Sequence, residues 1–371
     1  MGSCNRAALI ERPHRRGPVG YEGKEPIGTG KPSVVEVGRA ADITMASAAN
    51  VIAERVALTG IPSAAADAAL SDGLRDLVSA FADTCLPPFA DSYLRFRMSS
   101  SDVERFSSLI DFAECLVRTS AIVLAVHRFA KEKTEKILTR LGRGGTLGEW
   151  HKVLGEEISA TGGLPGGHSL RNFWRAPAFE TQVALVAQYP ALAPELRDNK
   201  TPSAWSQLEW MNWLIKLRNA TRGHGFMTET HASELWLALH LIMLQSCFSL
   251  SDLVRDARLA LPKTSSESLE AEGWKRCGGR ITGGKAGRYT GAVALKWASG
   301  DVIALTPFIL LKNNDVLLLD KVNADQLTYL NYSAGTRDLL SLPDITSPND
   351  LPRFWITVQG AFDDIAGRHA E

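Results

Sequence analysis

The sequence "LRNATRGHGF" at positions 217–226 brings three polar residues close together in the chain: Arg218, Asn219 and His224. A guanidinium group can hold the oxygens of a phosphate, and an imidazole can transfer protons near neutral pH. The amide of Asn219 competes with the hydrogen bonds of the helix that precedes it. These residue types therefore predict a small anion-binding or catalytic centre whose chemistry suits a phosphodiester.

The helix that carries Arg218 has to end before His224 if the two side chains are to meet. Arg218 lies on a stripe otherwise made of Met, Leu and Ile, where a charge is costly unless it is paired or lines a cavity. A continuous helix would turn His224 about 240° away from Arg218. Gly223 can take the left-handed conformation that ends a helix, so we expect His224 to fold back toward the negative end of the helix dipole.

The segment "RNATRGH" resembles the Arg-x(4–6)-His signature of the HEPN superfamily, in which Asn commonly follows the Arg. Three upstream segments are similar to HEPN-like modules of large bacterial signalling and defence proteins: "LPPFADSYLRF", "DVERFSSLIDFAECLVRTSAIVLA" and "TLGEWHKVL". The resemblance covers roughly residues 86–250. The β-rich part that follows is loosely similar to a segment of the same proteins.

The resemblance implies a helical bundle that dimerises and cleaves RNA without a metal ion or cofactor, leaving 2′,3′-cyclic phosphate ends. Arg218 would stabilise the phosphorane, Asn219 would position the Arg or the phosphate, and His224 would transfer protons. Glu114, from a central buried helix, and Arg222, within the spacer before His224, are supporting residues. RNA, a second copy of the chain and a protein of a bacterial defence or signalling system are the expected partners, and the function would be that of a toxin or anti-phage effector.

Three other interpretations stay open at this point. In the first, the motif is a structural helix end, where Arg218 pairs with a buried carboxylate such as Glu114. In the second, the protein is a non-catalytic dimerisation or binding module whose β-rich domain recognises a partner or ligand. In the third, it is a nucleotide-utilising enzyme centred on Lys285.

A basic, glycine-rich stretch follows residue 274. "GRITGGKA" (279–286) matches G-x-x-x-x-G-K, but Ala286 stands where a phosphate loop has Ser or Thr, and no strand precedes it. A surface loop is therefore expected. It contributes to a local basic patch that is able to contact phosphates: Arg276, Arg280, Lys285 and Arg288.

Composition argues against several classes of protein. The 41 basic and 41 acidic residues cancel, so any nucleic-acid contact is expected to be local. The five cysteines form no CxxC pair, and the histidines lack metal-ligand spacing, which favours a cytoplasmic protein without metal. The most apolar run (235–250) is shorter than a membrane span of about 20 residues, and no export signal is visible at the N-terminus.

The elements that position the motif are mostly helical. Ser101 or Asp102 is the expected N-cap of a long helix whose middle, Leu109 to Phe129, is apolar on nearly every side. Further helices are expected from residue 146 onward and over 178–196, 203–222 and 229–257. Trp205, Trp210, Trp213 and His240 are expected in the core. "KNND" (312–315) predicts a hairpin loop between β-rich runs.

The predicted fold is therefore α+β: an N-terminal all-α, HEPN-like bundle followed by a small, mainly antiparallel β domain. Its predicted parts are a disordered extension over 1–45, with Met45 as an alternative start, and a helical domain over 46–261. A linker over 262–274, a β-rich domain over 275–342 and a tail with a short helix over 343–371 complete the chain.

Overall fold

The computed structural model describes residues 86–160, 167–188, 204–223, 228–250, 258–260, 292–296, 302–312, 315–324 and 326–367. The predicted extension over 1–45 and the predicted linker over 262–274 lie outside these residues. The described helices and strands belong to one compact unit. They have the predicted α+β layout, with helices first and antiparallel sheets after them.

Helices occupy most of the described residues between 86 and 249. They are α1 (Pro87–Met98), α2 (Asp102–Glu132), α3 (Lys136–Gly142), α4 (Leu147–Ser159), α5 (Gly167–Arg175), α6 (Glu180–Gln188), α7 (Gln207–Arg218), a π-helical turn (Asn219–Gly223) and α8 (Glu229–Ser249). The strands are β1 (Arg258–Ala260), β2 (Ala294–Lys296), β3 (Val302–Ala304), β4 (Ile309–Lys312), β5 (Asp315–Asn323), β6 (Gln326–Asn331) and β7 (Thr336–Leu340). A 3₁₀ turn (Pro348–Asp350) leads into α9 (Leu351–Gly367).

Helix α2 is the centre of the molecule, as its all-round apolar sequence predicts. Ser101 is its N-cap, and the Ser101 hydroxyl accepts a hydrogen bond from the Glu104 backbone N–H, which satisfies one of the free donors of the first turn. Its middle is buried almost continuously, and it packs against α1, α4 and α8. The predicted burial of Leu109 to Phe129 is confirmed.

Helix α7 begins with a reciprocal cap. The Ser206 hydroxyl accepts a hydrogen bond from the Glu209 N–H at 3.2 Å, and the Glu209 carboxylate accepts one from the Ser206 N–H at 2.7 Å. Trp210 and Trp213 are buried on this helix and Trp205 just before it, so the prediction that these rings belong to the core is confirmed.

The helical region ends earlier than its pattern predicts. Helix α8 runs to Ser249 and not to residue 257. Arg258–Ala260 forms a strand because it pairs antiparallel with Ala294–Lys296, a contact distant in sequence that local periodicity cannot reveal. The sequence pattern does not predict helix α5. Its first residue, Gly167, follows a Gly- and Pro-rich stretch that indicates a turn.

Two antiparallel sheets follow, in the orders β1-β2-β3 and β4-β5-β6-β7. Lys312, at the end of β4, pairs with Asp315, at the start of β5. The predicted hairpin at this point of the chain is therefore confirmed. The β5–β6 register shifts between Leu319 and Lys321, so Asp320 is the extra residue of a β-bulge. Helix α9 packs against β3, and the Trp355 indole N–H donates to the Ala304 carbonyl at 2.7 Å.

Helices and strands share one hydrophobic core. Strand β5 contacts α1, α2 and α3, and β3 contacts α2 and α9. The predicted domain boundaries at residues 261 and 275 lie outside the described residues and stay predictions. Among the described helices, none is long and apolar enough to cross a membrane.

Candidate functional site

Arg218 is the last residue of α7, where the helix widens into the π-helical turn Asn219–Gly223. The Thr221 hydroxyl donates to the Leu217 carbonyl at 2.8 Å and thereby satisfies one acceptor that the change of helix type leaves open. Single π-helical turns lie frequently at functional sites. The π-helical turn is described as far as Gly223, and the predicted stop beyond it falls on residues 224–227, which lie outside the described residues.

Asn219 contacts Arg218 directly. The Arg218 Nη1 donates to Asn219 Oδ1 at 3.3 Å, and Asn219 is exposed. His224 and the side chain of Arg222 lie outside the described residues, so the structure does not report their distance from Arg218. We use the name Arg218 site for Arg218 and Asn219.

Glu114 lies behind Arg218 on the central helix α2. Its Oε2 is 3.9 Å from Arg218 Nη2, so the structure brings together the two residues that the sequence names as partners. The contact is long, because charge-assisted hydrogen bonds are usually about 2.7–2.9 Å. Among the described residues, Arg218 Nε has no hydrogen-bond partner. The guanidinium is therefore oriented by Glu114 without being saturated by it.

The stronger partner of Glu114 is Arg118, one helical turn further along α2. Arg118 Nε and Nη2 donate to Glu114 Oε1 at 2.9 and 2.8 Å. Only 2% of the Arg118 side chain is exposed, and its guanidinium also stacks over the Trp150 ring. A guanidinium buried to this degree requires carboxylate partners.

The second carboxylate partner of Arg118 comes from the larger sheet. Arg118 Nη2 lies 3.1 Å from Asp320 Oδ1, at the bulge of β5, and Asp320 Oδ2 lies 3.6 Å from Arg337 Nε on β7. Five residues thus form a continuous chain of alternating charge, here named the arginine–carboxylate network: Arg218, Glu114, Arg118, Asp320 and Arg337.

Arg118, Asp320 and Arg337 are not among the site residues that the sequence predicts. Arg118 had a usable signal, since a charged residue four positions after Glu114 in an apolar helix indicates an ion pair on one face. Asp320 and Arg337 had none, because their contacts bring together residues far apart in the chain.

Burial sets the protonation states around this network. Burial by itself lowers the pKa of Arg118, but Tyr332, Glu114 and Asp320 outweigh it, so that the pKa rises above its ordinary value. Burial, assisted by Glu114, raises the pKa of Tyr332 well above its ordinary value, although Arg118 opposes the shift. Arg118 is therefore a permanent cation, and the Tyr332 phenol stays protonated as a donor.

Three buried donors of this region have no hydrogen-bond partner in the part of the chain that the structure describes: Arg118 Nη1, Arg218 Nε and Tyr332 Oη. Buried polar atoms are normally paired with protein or with ordered water. The network therefore keeps unsatisfied hydrogen-bond donors around Arg118 and Arg218.

The sequence also singles out a basic patch and several histidines. The basic patch of Arg276, Arg280, Lys285 and Arg288 is outside the described residues. His240 is buried in α8, where its Nε2 bonds the Tyr93 hydroxyl at 2.9 Å, and burial followed by the charge of Arg97 lowers its pKa to about 3. It is a core histidine, as predicted. Within the described residues, no group of three or more His, Cys, Asp or Glu is arranged to hold a metal ion.

The chain matches no family model, and comparisons with curated proteins and with solved structures find no match either.

Proposed function

We propose that the protein binds RNA at the Arg218 site and cleaves it without a metal ion. The observation that supports this proposal is the state of Arg218. Its guanidinium stands at a π-helical end, 30% exposed, with an unused Nε donor and only a 3.9 Å contact to Glu114. In a purely structural ion pair, Arg218 would form short hydrogen bonds to the Glu114 carboxylate. Glu114 instead accepts its short hydrogen bonds from Arg118, through Oε1.

Each residue then has a defined task. Arg218 holds the phosphate and stabilises the charge that develops on it in the transition state. Asn219, bonded to Arg218, fixes the plane of the guanidinium. His224, the residue after Gly223 in the sequence, takes the proton of the 2′-hydroxyl or returns one to the leaving oxygen, as an imidazole can near neutral pH. Glu114 and Arg222 are the supporting residues.

A homodimer that joins two Arg218 sites, acting within a bacterial defence or signalling system, is part of this proposal. The alternative function is a non-catalytic binding module. It is favoured by exposed apolar side chains on α1 and on the edge strand β7: Leu94, Met98 and Leu339. Such side chains on an open edge are typical of surfaces that bind another protein.

The test is cleavage of total RNA and of tRNA by the purified protein in EDTA. We expect products with 2′,3′-cyclic phosphate ends, and we expect Arg218→Ala and His224→Ala each to lower the rate by about a hundredfold or more. Arg353→Ala, which removes an exposed arginine of α9, is the matched control and should retain full activity.

Equal cleavage by all four proteins would show that a contaminating nuclease is responsible. A folded wild-type protein that leaves every RNA intact would favour the binding module.

A further inference from the structure

The arginine–carboxylate network has two arms of the same construction. At its centre, Arg118 Nη2 lies 2.8 Å from Glu114 Oε1 and 3.1 Å from Asp320 Oδ1. The other oxygen of each carboxylate faces an outer arginine, Arg218 at 3.9 Å and Arg337 at 3.6 Å. One outer arginine therefore comes from the helices and the other from the sheet.

The two outer arginines are held loosely, and both reach solvent. Their contacts exceed the usual charge-assisted length of about 2.7–2.9 Å. The Arg337 side chain is 70% exposed and that of Arg218 is 30% exposed. Three guanidinium groups against two carboxylates leave an excess of positive charge, and that excess lies at the two exposed ends.

Two further features indicate that the sheet end is built for more than packing. Asp320 owes its orientation to the β-bulge, and bulges often redirect a side chain beside a functional site. Tyr332, which lies close to Arg118 and Glu114, is 6% exposed, yet its hydroxyl, like Arg118 Nη1, has no partner among the described residues. Unsatisfied donors thus remain inside the network, although both of its carboxylates are paired with arginines.

We propose that Arg337 is a second phosphate-binding residue, so that Arg218 and Arg337 hold two phosphates of one single-stranded RNA across the junction of helices and sheet. This inference rests on the proposed function and gives the β-rich part a role in it. Cationic side chains that follow the backbone are a common way to hold a single strand. Arg118 is a positioning residue, which acts on the outer arginines through Glu114 and Asp320.

The experiment is binding of the full chain to a fluorescent, fully 2′-O-methylated oligoribonucleotide, which cannot be cleaved through its 2′-oxygen. Anisotropy titrations in EDTA are repeated at several salt concentrations. We expect Arg337→Ala to weaken binding by about tenfold. The slope of log K against log salt concentration should fall by about 0.7, the value for one phosphate contact on a single strand. Arg337→Lys, which keeps the charge, should retain the slope.

Arg353→Ala removes the same charge from α9 and serves as the control, which should bind as the wild type does. If Arg337→Ala matches Arg353→Ala while Arg218→Ala loses affinity, the sheet arm is overturned and RNA binding at the Arg218 site stands. If the wild-type protein does not bind the oligonucleotide, both this inference and the proposed function fail. Weakened binding by Arg337→Ala together with absent cleavage of natural RNA supports the sheet arm and overturns only the catalytic step.

Discussion

At the scale of single residues, Arg118 is the group on which the site depends most. It is 2% exposed and binds one oxygen of Glu114 and one of Asp320. Among the described residues, the other oxygens of these carboxylates have longer contacts to Arg218 and Arg337, which cannot replace Arg118. Removing Arg118 would leave two carboxylates in a buried position without adequate compensation.

We therefore expect Arg118→Met to lower the free energy of unfolding by about 3–5 kcal/mol. The triple variant Glu114→Gln, Arg118→Met, Asp320→Asn removes the charges together and should recover most of this loss. Urea unfolding of the three proteins, followed by circular dichroism, measures both changes. If the free energy of unfolding of Arg118→Met lies within about 1 kcal/mol of the wild-type value, Arg118 is not needed to compensate the two buried carboxylates.

The predictable part of the site is the part that neighbours in sequence define. Arg218, Asn219 and Gly223 follow from one helix end, and Glu114 follows from being a carboxylate in an apolar helix. The contact of Arg118 with Asp320 joins α2 to a bulge about two hundred residues further on, and no spacing rule encodes it. Local periodicity predicts which face of a helix is buried, but it does not predict which distant residue pairs with a buried charge.

At the scale of elements, the same division holds between local and distant determinants. The Ser101 cap, the hairpin between Lys312 and Asp315 and helix α9 are confirmed, because each depends on residues a few positions apart. The π-helical turn and the Asp320 bulge each shift a hydrogen-bonding register by one residue, which propensities do not specify. The π-helical turn carries Asn219 of the Arg218 site, and the bulge carries Asp320 of the arginine–carboxylate network.

The loop before α4 shows how closely the helices approach this bulge. Gly144 has a φ of +68°, and a Cβ atom there would stand 2.5 Å from the Asp320 carbonyl oxygen. We expect Gly144→Ala to destabilise the protein by about 2 kcal/mol or more, because the conformation is strained and the space is filled.

The control for Gly144→Ala is Gly155→Ala, within α4. Its Cβ would make an ordinary contact, 3.5 Å from Leu208 Cδ2, and alanine favours a helix by up to about 1 kcal/mol over glycine. The two variants should therefore change the urea midpoint in opposite directions. Changes of the same sign would refute the close approach of this loop to β5.

At the scale of the whole molecule, the helices and the sheet also meet at a pair of carboxyl groups. Asp91 of α1 is 9% exposed, and Asp315 begins β5. The Asn331 amide and the Ser333 hydroxyl donate hydrogen bonds to the Asp315 carboxylate at 3.0 and 2.7 Å. Burial, followed by the charge of Asp315, raises the pKa of Asp91 to about 7, although a hydrogen bond from the Val316 backbone opposes the shift.

This pair predicts how stability responds to pH. Because the pKa of Asp91 rises from 3.8 to about 7 on folding, the folded state binds more protons than the unfolded state between these values. The contribution of Asp91 to the free energy of unfolding is therefore fully present below about pH 4, decreases as the pH rises, and is lost above about pH 7. The difference amounts to at most about 4 kcal/mol. Asp91→Asn mimics the protonated form at every pH, so it should match the wild type near pH 4 and exceed it in stability at pH 8.

Urea unfolding of the wild type and Asp91→Asn at pH 5, 6, 7 and 8 measures this divergence, and Asp344→Asn, at an exposed position, controls for the loss of one charge. The curve of Asp344→Asn should run parallel to that of the wild type, while the curve of Asp91→Asn diverges upward with pH. If all three curves run parallel, Asp91 is not a buried carboxyl at a junction of helix and sheet. If the Asp91→Asn curve alone diverges, the packing of α1 against β5 costs stability at neutral pH, where RNA would be bound.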